Sequence, residues 1–299
     1  MEWRGRRGSS NIEDRRASGV RSGRAGGIGG VGLIAVLVIG YFLGIDVTPL
    51  LNGAGQMQTA APAEMTEADT SAGEFVSVVL ADTEDIWAQV FKTQLGDRYT
   101  PATLVLYKGV TASPCGDASG ATGPFYCPGD RKVYLDTDFF TTMERQLGAR
   151  GDFAMAYVVA HEVAHHVQDE LGILGKANQL RAQVSQAESN AISVRIELQA
   201  DCLSGIWARQ VADTFGTIQK GDFEEAVNAA RQIGDDTLQR NAGQRPMPHT
   251  FTHGTAAQRS GWFLRGLKSG DLGMAALDVF LQEPTPPSRW ADVPNTVLT

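Results

Sequence analysis

Hydrophobic residues are distributed unevenly along the chain and divide it into segments. Residues 25–45 contain no charged side chain and are dominated by Gly, Val, Ile and Leu. About 20 such residues are enough for a helix to cross a bilayer, so we predict a transmembrane helix here. Residues 46–73 are rich in Ala, Thr, Gly and Glu, and we predict a disordered linker. Residues 74–284 have the apolar pattern of a folded domain, and residues 285–299 form a Pro-containing tail.

Inside the predicted domain, the spacing of apolar residues favours helices over strands. Apolar positions at helical spacing predict a helix over 75–91. The runs Thr103–Tyr107 and Lys132–Asp136 predict two strands. Further helices are predicted near 152–171, 179–211, 222–233, 255–268 and 271–281. The predicted fold class is therefore α+β, mostly helical with a small β-sheet, and preceded by one transmembrane helix.

Positive charge is concentrated at the N-terminus. The first 24 residues hold seven arginines and three acidic residues, a net charge of +4, whereas the whole chain has a net charge of -8. An acidic chain gives no general electrostatic support for nucleic-acid binding, and the basic head covers only residues 1–24. We predict that this head is a disordered tail and that the chain passes once through the inner membrane. The positive-inside rule then puts the tail in the cytoplasm and the domain outside, in the periplasm.

Two other interpretations of the apolar run stay open. Small residues between Gln56 and Ala63 would suit cleavage of a signal peptide, although the run is long for such a peptide. The run could also be a buried core helix. The arginines before it and the polar linker after it argue against a core helix.

The three cysteines differ in their surroundings. Cys115 and Cys127 lie close together in a stretch rich in Gly, Ser and Pro, whereas Cys202 lies alone in a helical pattern. All three could be reduced thiols, with Cys202 packed as a small apolar residue. If the domain lies in an oxidising compartment, Cys115 and Cys127 are a candidate disulfide pair.

The strongest chemical signal is the sequence His161-Glu162-Val163-Ala164-His165 in a helical stretch. Residues four apart share one helical face, so the two imidazoles can converge on one zinc ion. Glu162 lies about 100° further round the helix. From there a carboxylate can reach a metal-bound water and act as a general base. The flanking residues are apolar, and buried histidines need partners.

A catalytic zinc needs a third protein ligand. Asp169 lies on the same straight helix as both histidines, and three ligands from one helical face cannot close a tetrahedron. A second helix must therefore supply the ligand. Glu197 and Asp201 are again four residues apart, on an otherwise apolar helix where unpaired carboxylates are costly to bury. We assign Glu197 as the third ligand and Asp201 as the acceptor for the spare ring N–H of His161. The alternative is an exposed pair that faces Arg195.

These motifs carry a family resemblance. His161-Glu162-x-x-His165 followed by Glu197-x-x-x-Asp201 resembles the gluzincin metallopeptidases. The chain as a whole resembles the bacterial family of putative neutral zinc metallopeptidases. The resemblance includes the segments 1–7, 122–128, 132–136 and 252–259. It implies a zincin-like domain, a bound Zn2+ ion, and a peptide or protein substrate.

The resemblance also implies roles outside the metal site. In gluzincins a strand ahead of the metal helix forms the upper edge of the cleft, and Lys132–Asp136 is placed to do so, unless it is an ordinary sheet strand. His253 could donate a hydrogen bond to the oxyanion of the reaction, or it could order the loop at a helix start. His249 is a less favoured candidate. We expect Arg259 to be a buried ion-pair residue that positions the His253 loop, and His166 to be structural.

The predicted function is that of a membrane-anchored zinc metallopeptidase, which hydrolyses peptide bonds with a zinc-activated water. His161, His165 and Glu197 are the predicted metal ligands, with Glu162 and His253 as catalytic residues. The alternative is a catalytically idle envelope domain that binds partners, with a metal that only holds two helices together. Glu162 argues against it, because a structural site does not need a carboxylate at that position.

Overall fold

The computed structural model describes residues 1–17, 65–119 and 122–273. The strands are β1 Ile12–Asp14, β2 Thr103–Tyr107, β3 Val110–Ser113, β4 Gly116–Ser119, β5 Phe125–Cys127 and β6 Lys132–Asp136. The helices are α1 Glu67–Val90, α2 Asp138–Arg145, α3 Asp152–Glu170, α4 Ile173–Arg181, α5 Gln186–Phe215, α6 Asp222–Gln232, α7 Asp235–Asn241 and α8 Ala256–Ser269. A π-helical turn, Phe91–Leu95, extends α1, and the 3-10 turn Pro248–Thr250 lies between α7 and α8. The predicted α+β class, mostly helical with a small sheet, is confirmed.

Four predicted segments lie wholly or largely outside the described residues. They are the transmembrane helix over 25–45, the linker over 46–73, the helix over 271–281 and the C-terminal tail over 285–299. Within the ranges that the structure describes, no helix combines the length and the apolar composition that a bilayer crossing requires.

The main sheet has four strands in the order β1-β2-β6-β5. Strands β1, β2 and β6 are parallel, and β5 runs antiparallel to β6. The two predicted strands are present with their predicted bounds. Of the two alternatives for Lys132–Asp136, the structure shows the ordinary sheet strand, because it lies inside the sheet, between β2 and β5, and not at its edge. The edge beside β6 is the three-residue strand β5, which the sequence analysis missed.

The sheet separates a large helical core from a small second cluster. Alternating residues of β2 and β6, such as Leu104 and Val133, join the main core that contains α1, α3 and α5. Their neighbours Val105 and Tyr134 face the other way, towards the hairpin β3–β4. A disulfide between Cys115 and Cys127 fastens the turn of this hairpin to the end of β5.

The N-terminal strap, residues 1–17, is part of the folded domain. Trp3 is buried and packs edge-on against Phe75 of α1, with ring centroids 5.5 Å apart. Arg6 forms two hydrogen bonds, of 2.6 and 2.7 Å, with the buried carboxylate of Asp82 in α1. Strand β1 extends the main sheet. The prediction that residues 1–24 form a disordered tail is therefore wrong for residues 1–17, because Trp3, Arg6 and strand β1 hold this segment against the rest of the domain.

This packing bears on the predicted membrane topology. A single crossing between residues 25 and 45 would put residues 1–24 and 74–284 on opposite sides of the membrane. In the structure, Ile12, Glu13 and Asp14 pair with Leu104, Val105 and Leu106. Strands that exchange hydrogen bonds lie on one side of a membrane, so a single crossing and the docked strap exclude each other.

Two predicted boundaries are corrected by helix caps. Helix α1 begins at Glu67 rather than Phe75, because Thr66 and Asp69 form a reciprocal capping box. The predicted linker over 46–73 therefore ends before residue 67. The long helix α5 begins at Gln186 rather than Gln179, because Ser185 and Glu188 form a second capping box. The preceding residues form the separate helix α4.

Candidate metal centre

Helix α3, which carries both predicted histidine ligands, is fixed at its start by long-range contacts. Gly151 precedes the helix with a φ of 100°, a conformation that a residue with a side chain adopts only at a cost. The N–H of Phe153 donates to the carboxylate of Glu225 in α6. The indole N–H of Trp3, in the strap, donates to Asp152. The first turn of the metal helix thus depends on two distant segments.

Helices α5 and α8 cross at unusually close range. A Cβ atom on Gly205 of α5 would lie 2.0 Å from the carbonyl oxygen of Phe263 in α8. A Cβ atom on Gly266 of α8 would lie 1.9 Å from the carbonyl oxygen of Cys202 in α5. Only glycine allows two backbones to approach in this way. The close crossing brings Arg259 of α8 next to the carboxylates of α5.

His161, His165 and Glu197 come together as the sequence analysis predicted. One ligand atom from each lies within 4.8 Å of the others. His161 Nε2 is 3.0 Å from Glu197 Oε2, and His165 Nε2 is 3.5 Å from Glu197 Oε1. In a tetrahedral zinc site with bonds of about 2.0–2.1 Å, neighbouring ligand atoms are roughly 3.3 Å apart. Two imidazoles and one carboxylate at these separations fit zinc.

The electrostatics of the group also suit a cation. Burial alone would lower the pKa of His161, but Asp201 and Glu197 outweigh burial and raise it to about 9. Burial would raise the pKa of Glu197, but the nearby histidines hold it well below its usual range. Each group therefore favours positive charge at the point where the ligand atoms meet.

Glu162 is buried beside the ligands and is not one of them. Burial raises its pKa above the ordinary value, against the opposing influence of His165 and His161. A carboxylate whose pKa is raised is a stronger base than an ordinary one, which suits a general base.

Asp201 is a fully buried carboxylate behind His161. Its Oδ1 lies 2.9 Å from His161 Nδ1, as predicted for an outer carboxylate that fixes the ring. It also accepts the hydroxyl of Tyr157 and two hydrogen bonds from Arg259, of 2.9 and 3.0 Å. Arg259 was expected to be a buried ion-pair residue that positions the His253 loop. It is buried and ion-paired as predicted, but its partner is Asp201 of α5, and its guanidinium lies 3.9 Å from Glu197.

His253 lies in the loop before α8, and Asp235 holds this loop in place. One carboxylate oxygen of Asp235 accepts the backbone N–H groups of Thr252, His253 and Gly254, at 2.7–2.9 Å. The other lies 3.3 Å from His253 Nδ1. Burial would lower the pKa of His253, but Glu197 and Asp235 raise it. His249, the less favoured candidate, contributes a backbone carbonyl that accepts from Asn190.

Several polar residues of the site were missed in the sequence. Tyr157, Gln168 and Asp235 show no pattern along the chain that separates them from other polar residues of helices. Their partners lie 44, 28 and 18 residues away, respectively. His166, which was predicted to be structural, is buried; its Nε2 donates to the carbonyl oxygen of Thr100 at 2.7 Å, and its Nδ1 lies 3.2 Å from the hydroxyl oxygen of Tyr126.

Comparison with known proteins places this geometry in context. A family model described as "Putative neutral zinc metallopeptidase" matches residues 1–280, which include the strap. The uncharacterized protein YpfJ of Escherichia coli K12 is 48% identical over 279 residues, 91% of this chain and 96% of the relative. The uncharacterized protein Rv2575 of Mycobacterium tuberculosis is 43% identical over 183 residues, 58% of this chain and 61% of the relative. No solved structure matches the chain.

Proposed function

The chain belongs to the putative neutral zinc metallopeptidase family, the family that its motifs resemble, and we propose that it is a zinc-dependent peptidase that hydrolyses peptide bonds. One observation carries the proposal. Two imidazoles and Glu197 converge, while Glu162 of the same helix lies buried beside them outside the ligand set. A site that only held a metal would gain nothing from this costly buried carboxylate.

The residues of the metal centre have separate roles in the proposed hydrolysis. His161, His165 and Glu197 would hold zinc, which, when bound, lowers the pKa of its water and polarises the carbonyl of the scissile bond. Glu162 accepts a proton from the attacking water and later donates it to the leaving amine. Asp201, neutralised by Arg259, keeps the His161 ring in place.

His253 is the proposed donor to the oxyanion. Its Nδ1 faces Asp235 and the hydroxyl of Thr252, which leaves Nε2 for a ligand in the cleft. A donor held in advance in this way stabilises the charge that develops on the substrate oxygen. The three backbone hydrogen bonds to Asp235 restrict the movement of the loop that carries it.

Strand β5 is the proposed docking edge for the substrate backbone. It is the outer strand beside β6, and an extended peptide can add to such an edge by main-chain hydrogen bonds. The hydroxyl of Tyr126 in β5 donates to Asp169, one helical turn beyond His165. This bond sets the edge at a fixed distance from the metal ligands.

The proposed compartment is oxidising, on the periplasmic side of the inner membrane. The disulfide between Cys115 and Cys127 supports this placement, because such bonds rarely persist in a reducing cytosol. The transmembrane helix over 25–45 falls outside the described residues and stays a prediction. The test is to trap free thiols with a membrane-permeant alkylating reagent in intact cells before lysis. A pair that is alkylated at both cysteines would refute the placement.

The function is tested by changing Glu162 alone. We expect the full-length chain to bind about one zinc ion and to cleave members of an unbiased peptide library. Glu162→Gln should keep the zinc and lose cleavage by a factor of about 100 or more, because only the general base is removed. Glu224→Gln, an exposed residue of α6, is the matched control and should cleave normally. Zinc binding without any cleavage by the unchanged chain would favour the idle envelope domain instead.

A further inference from the structure

Gln168 connects the two helices that supply the metal ligands. It lies in α3, three residues after His165, and its side chain is completely buried. Its amide spans the gap to α5 and bonds to the backbone immediately before Glu197. None of the catalytic steps proposed above uses this residue.

The hydrogen bonds fix the orientation of the Gln168 amide. Its Nε2 donates to the carbonyl oxygen of Ile196 at 2.8 Å and to Gln199 Oε1 at 2.9 Å. A backbone carbonyl can only accept, so the atom facing it must be the NH2 group. The amide oxygen is therefore the atom that lies 2.8 Å from His165 Nδ1. That oxygen can only accept, so His165 Nδ1 carries the hydrogen.

This orientation decides which nitrogen of His165 is free. With the hydrogen on Nδ1, the lone pair is on Nε2, the atom that lies 3.5 Å from Glu197 Oε1. The amide group of Gln168 therefore sets the tautomer of His165 and holds the backbone next to Glu197. One side chain thus contacts a ligand on α3 and the backbone beside a ligand on α5.

We propose that Gln168 is a positioning residue of the metal centre, which presents His165 Nε2 and Glu197 to a common zinc ion. The inference rests on the proposed zinc-dependent function. Outer residues that orient metal-bound histidines typically contribute about 10- to 100-fold to metal affinity. The role is distinct from that of Asp201, which holds the other histidine.

The choice of an amide over a carboxylate has a physical reason. The charge of Asp201 is matched by Arg259, which lies 2.9 Å away. The polar groups that contact Gln168 are a backbone carbonyl, a side-chain amide and an imidazole ring. A carboxylate at position 168 would accept from His165 but would face the carbonyl of Ile196 and could not donate to it. An amide satisfies both sides.

The test measures zinc affinity and stability separately on the full-length chain. Gln168→Met removes both the acceptor and the donor at similar volume, and we expect zinc affinity, measured by competition with a chelator, to fall about 10- to 100-fold. Gln168→Glu keeps the acceptor and should bind zinc more tightly than Gln168→Met. Its urea midpoint without metal should still be lower than that of the unchanged chain. Gln239→Met is the control, because Gln239 is equally buried and bonds to Met247 and Thr250.

The outcomes separate this inference from the proposed function. If Gln168→Met binds zinc as tightly as the unchanged chain, or no more weakly than Gln239→Met, Gln168 only stabilises the fold and the inference is wrong. If the unchanged chain itself fails to bind zinc, the proposed function falls, and the positioning role falls with it. A loss of affinity confined to position 168, with partial rescue by glutamate, supports the role.

Discussion

Replacing Arg6 with leucine tests whether the strap is part of the folded domain. Arg6 forms a two-pronged ion pair with Asp82, at 2.6 and 2.7 Å. The side chain of Asp82 is 4% exposed and that of Arg6 is 21% exposed. Arg6→Leu would leave the Asp82 carboxylate buried in α1 without its cation. If residues 1–24 were a detached tail, the same change would have no effect on stability.

The expected loss is about 3 kcal/mol in the free energy of unfolding. Breaking one partner out of a buried ion pair costs roughly 3–5 kcal/mol, and the partial exposure of Arg6 argues for the lower end. The loss should also depend on pH. Burial raises the pKa of Asp82 in the folded chain even with Arg6 present. The variant should therefore lose stability as the pH rises through the folded pKa, because the carboxylate must then ionise while buried.

Urea unfolding of the full-length chain at pH 5 and pH 8 measures the effect. The double variant Arg6→Leu/Asp82→Leu should recover most of the loss, because neither charge is left alone. Arg7→Leu is the matched control. Arg7 pairs with Asp85, and both side chains are 54% exposed, so the expected loss is below about 1 kcal/mol. Equal stability of Arg6→Leu and the unchanged chain would refute the docked strap.

Three further predictions follow from single features of the domain. Burial raises the pKa of the Asp136 carboxyl to about 6. The folded state therefore keeps this proton up to a higher pH than the unfolded state does. Relative to Asp136→Asn, the unchanged chain should lose about 2 kcal/mol of stability between pH 4 and pH 7 in urea titrations. Gly266→Ala should cost about 2 kcal/mol, because its Cβ would meet a carbonyl oxygen at 1.9 Å, whereas Gly261→Ala in the same helix, with open space around it, should stabilise slightly. Removing the Cys115–Cys127 disulfide, which spans 12 residues, should cost about 3 kcal/mol, measured by unfolding with and without reductant.

The metal centre could be predicted because its signals are local. His161 and His165 are one helical turn apart, and so are Glu197 and Asp201, so each pair reaches its partner from one helix face. The apolar residues around each pair showed that both helices are buried. One buried helix face carries two histidines and the other carries two carboxylates, which favours packing of these faces against each other. The structure brings His161, His165 and Glu197 together. The ligands could therefore be predicted without knowing how the two helices dock.

The supporting residues could not be predicted in this way. Gln168 differs from an ordinary helical glutamine only through a carbonyl 28 residues away. Asp235 resembles any acidic residue at a helix start, and its role depends on a loop 17–19 residues later. Strand β5 did leave a signal, since Phe-Tyr-Cys and Lys-Val-Tyr flank a Pro-Gly-Asp-Arg turn typical of a hairpin. It was missed because a strand of three residues has almost no periodicity.

The N-terminal arginines show how the same residues support opposite conclusions. Next to an apolar run, a basic segment favours the cytoplasmic side of a membrane. That rule counts charges and ignores their partners. In the folded chain Arg6 neutralises Asp82, and Arg16 donates to Asp14 and to the backbone of Asp69. The partners Asp82 and Asp69 are invisible in local composition because they lie 76 and 53 residues away from these arginines. Releasing Arg6 while Asp82 stays buried would leave a charge without its partner, at a cost of about 3 kcal/mol, which is more than the roughly 1 kcal/mol that one arginine gains beside an anionic membrane surface.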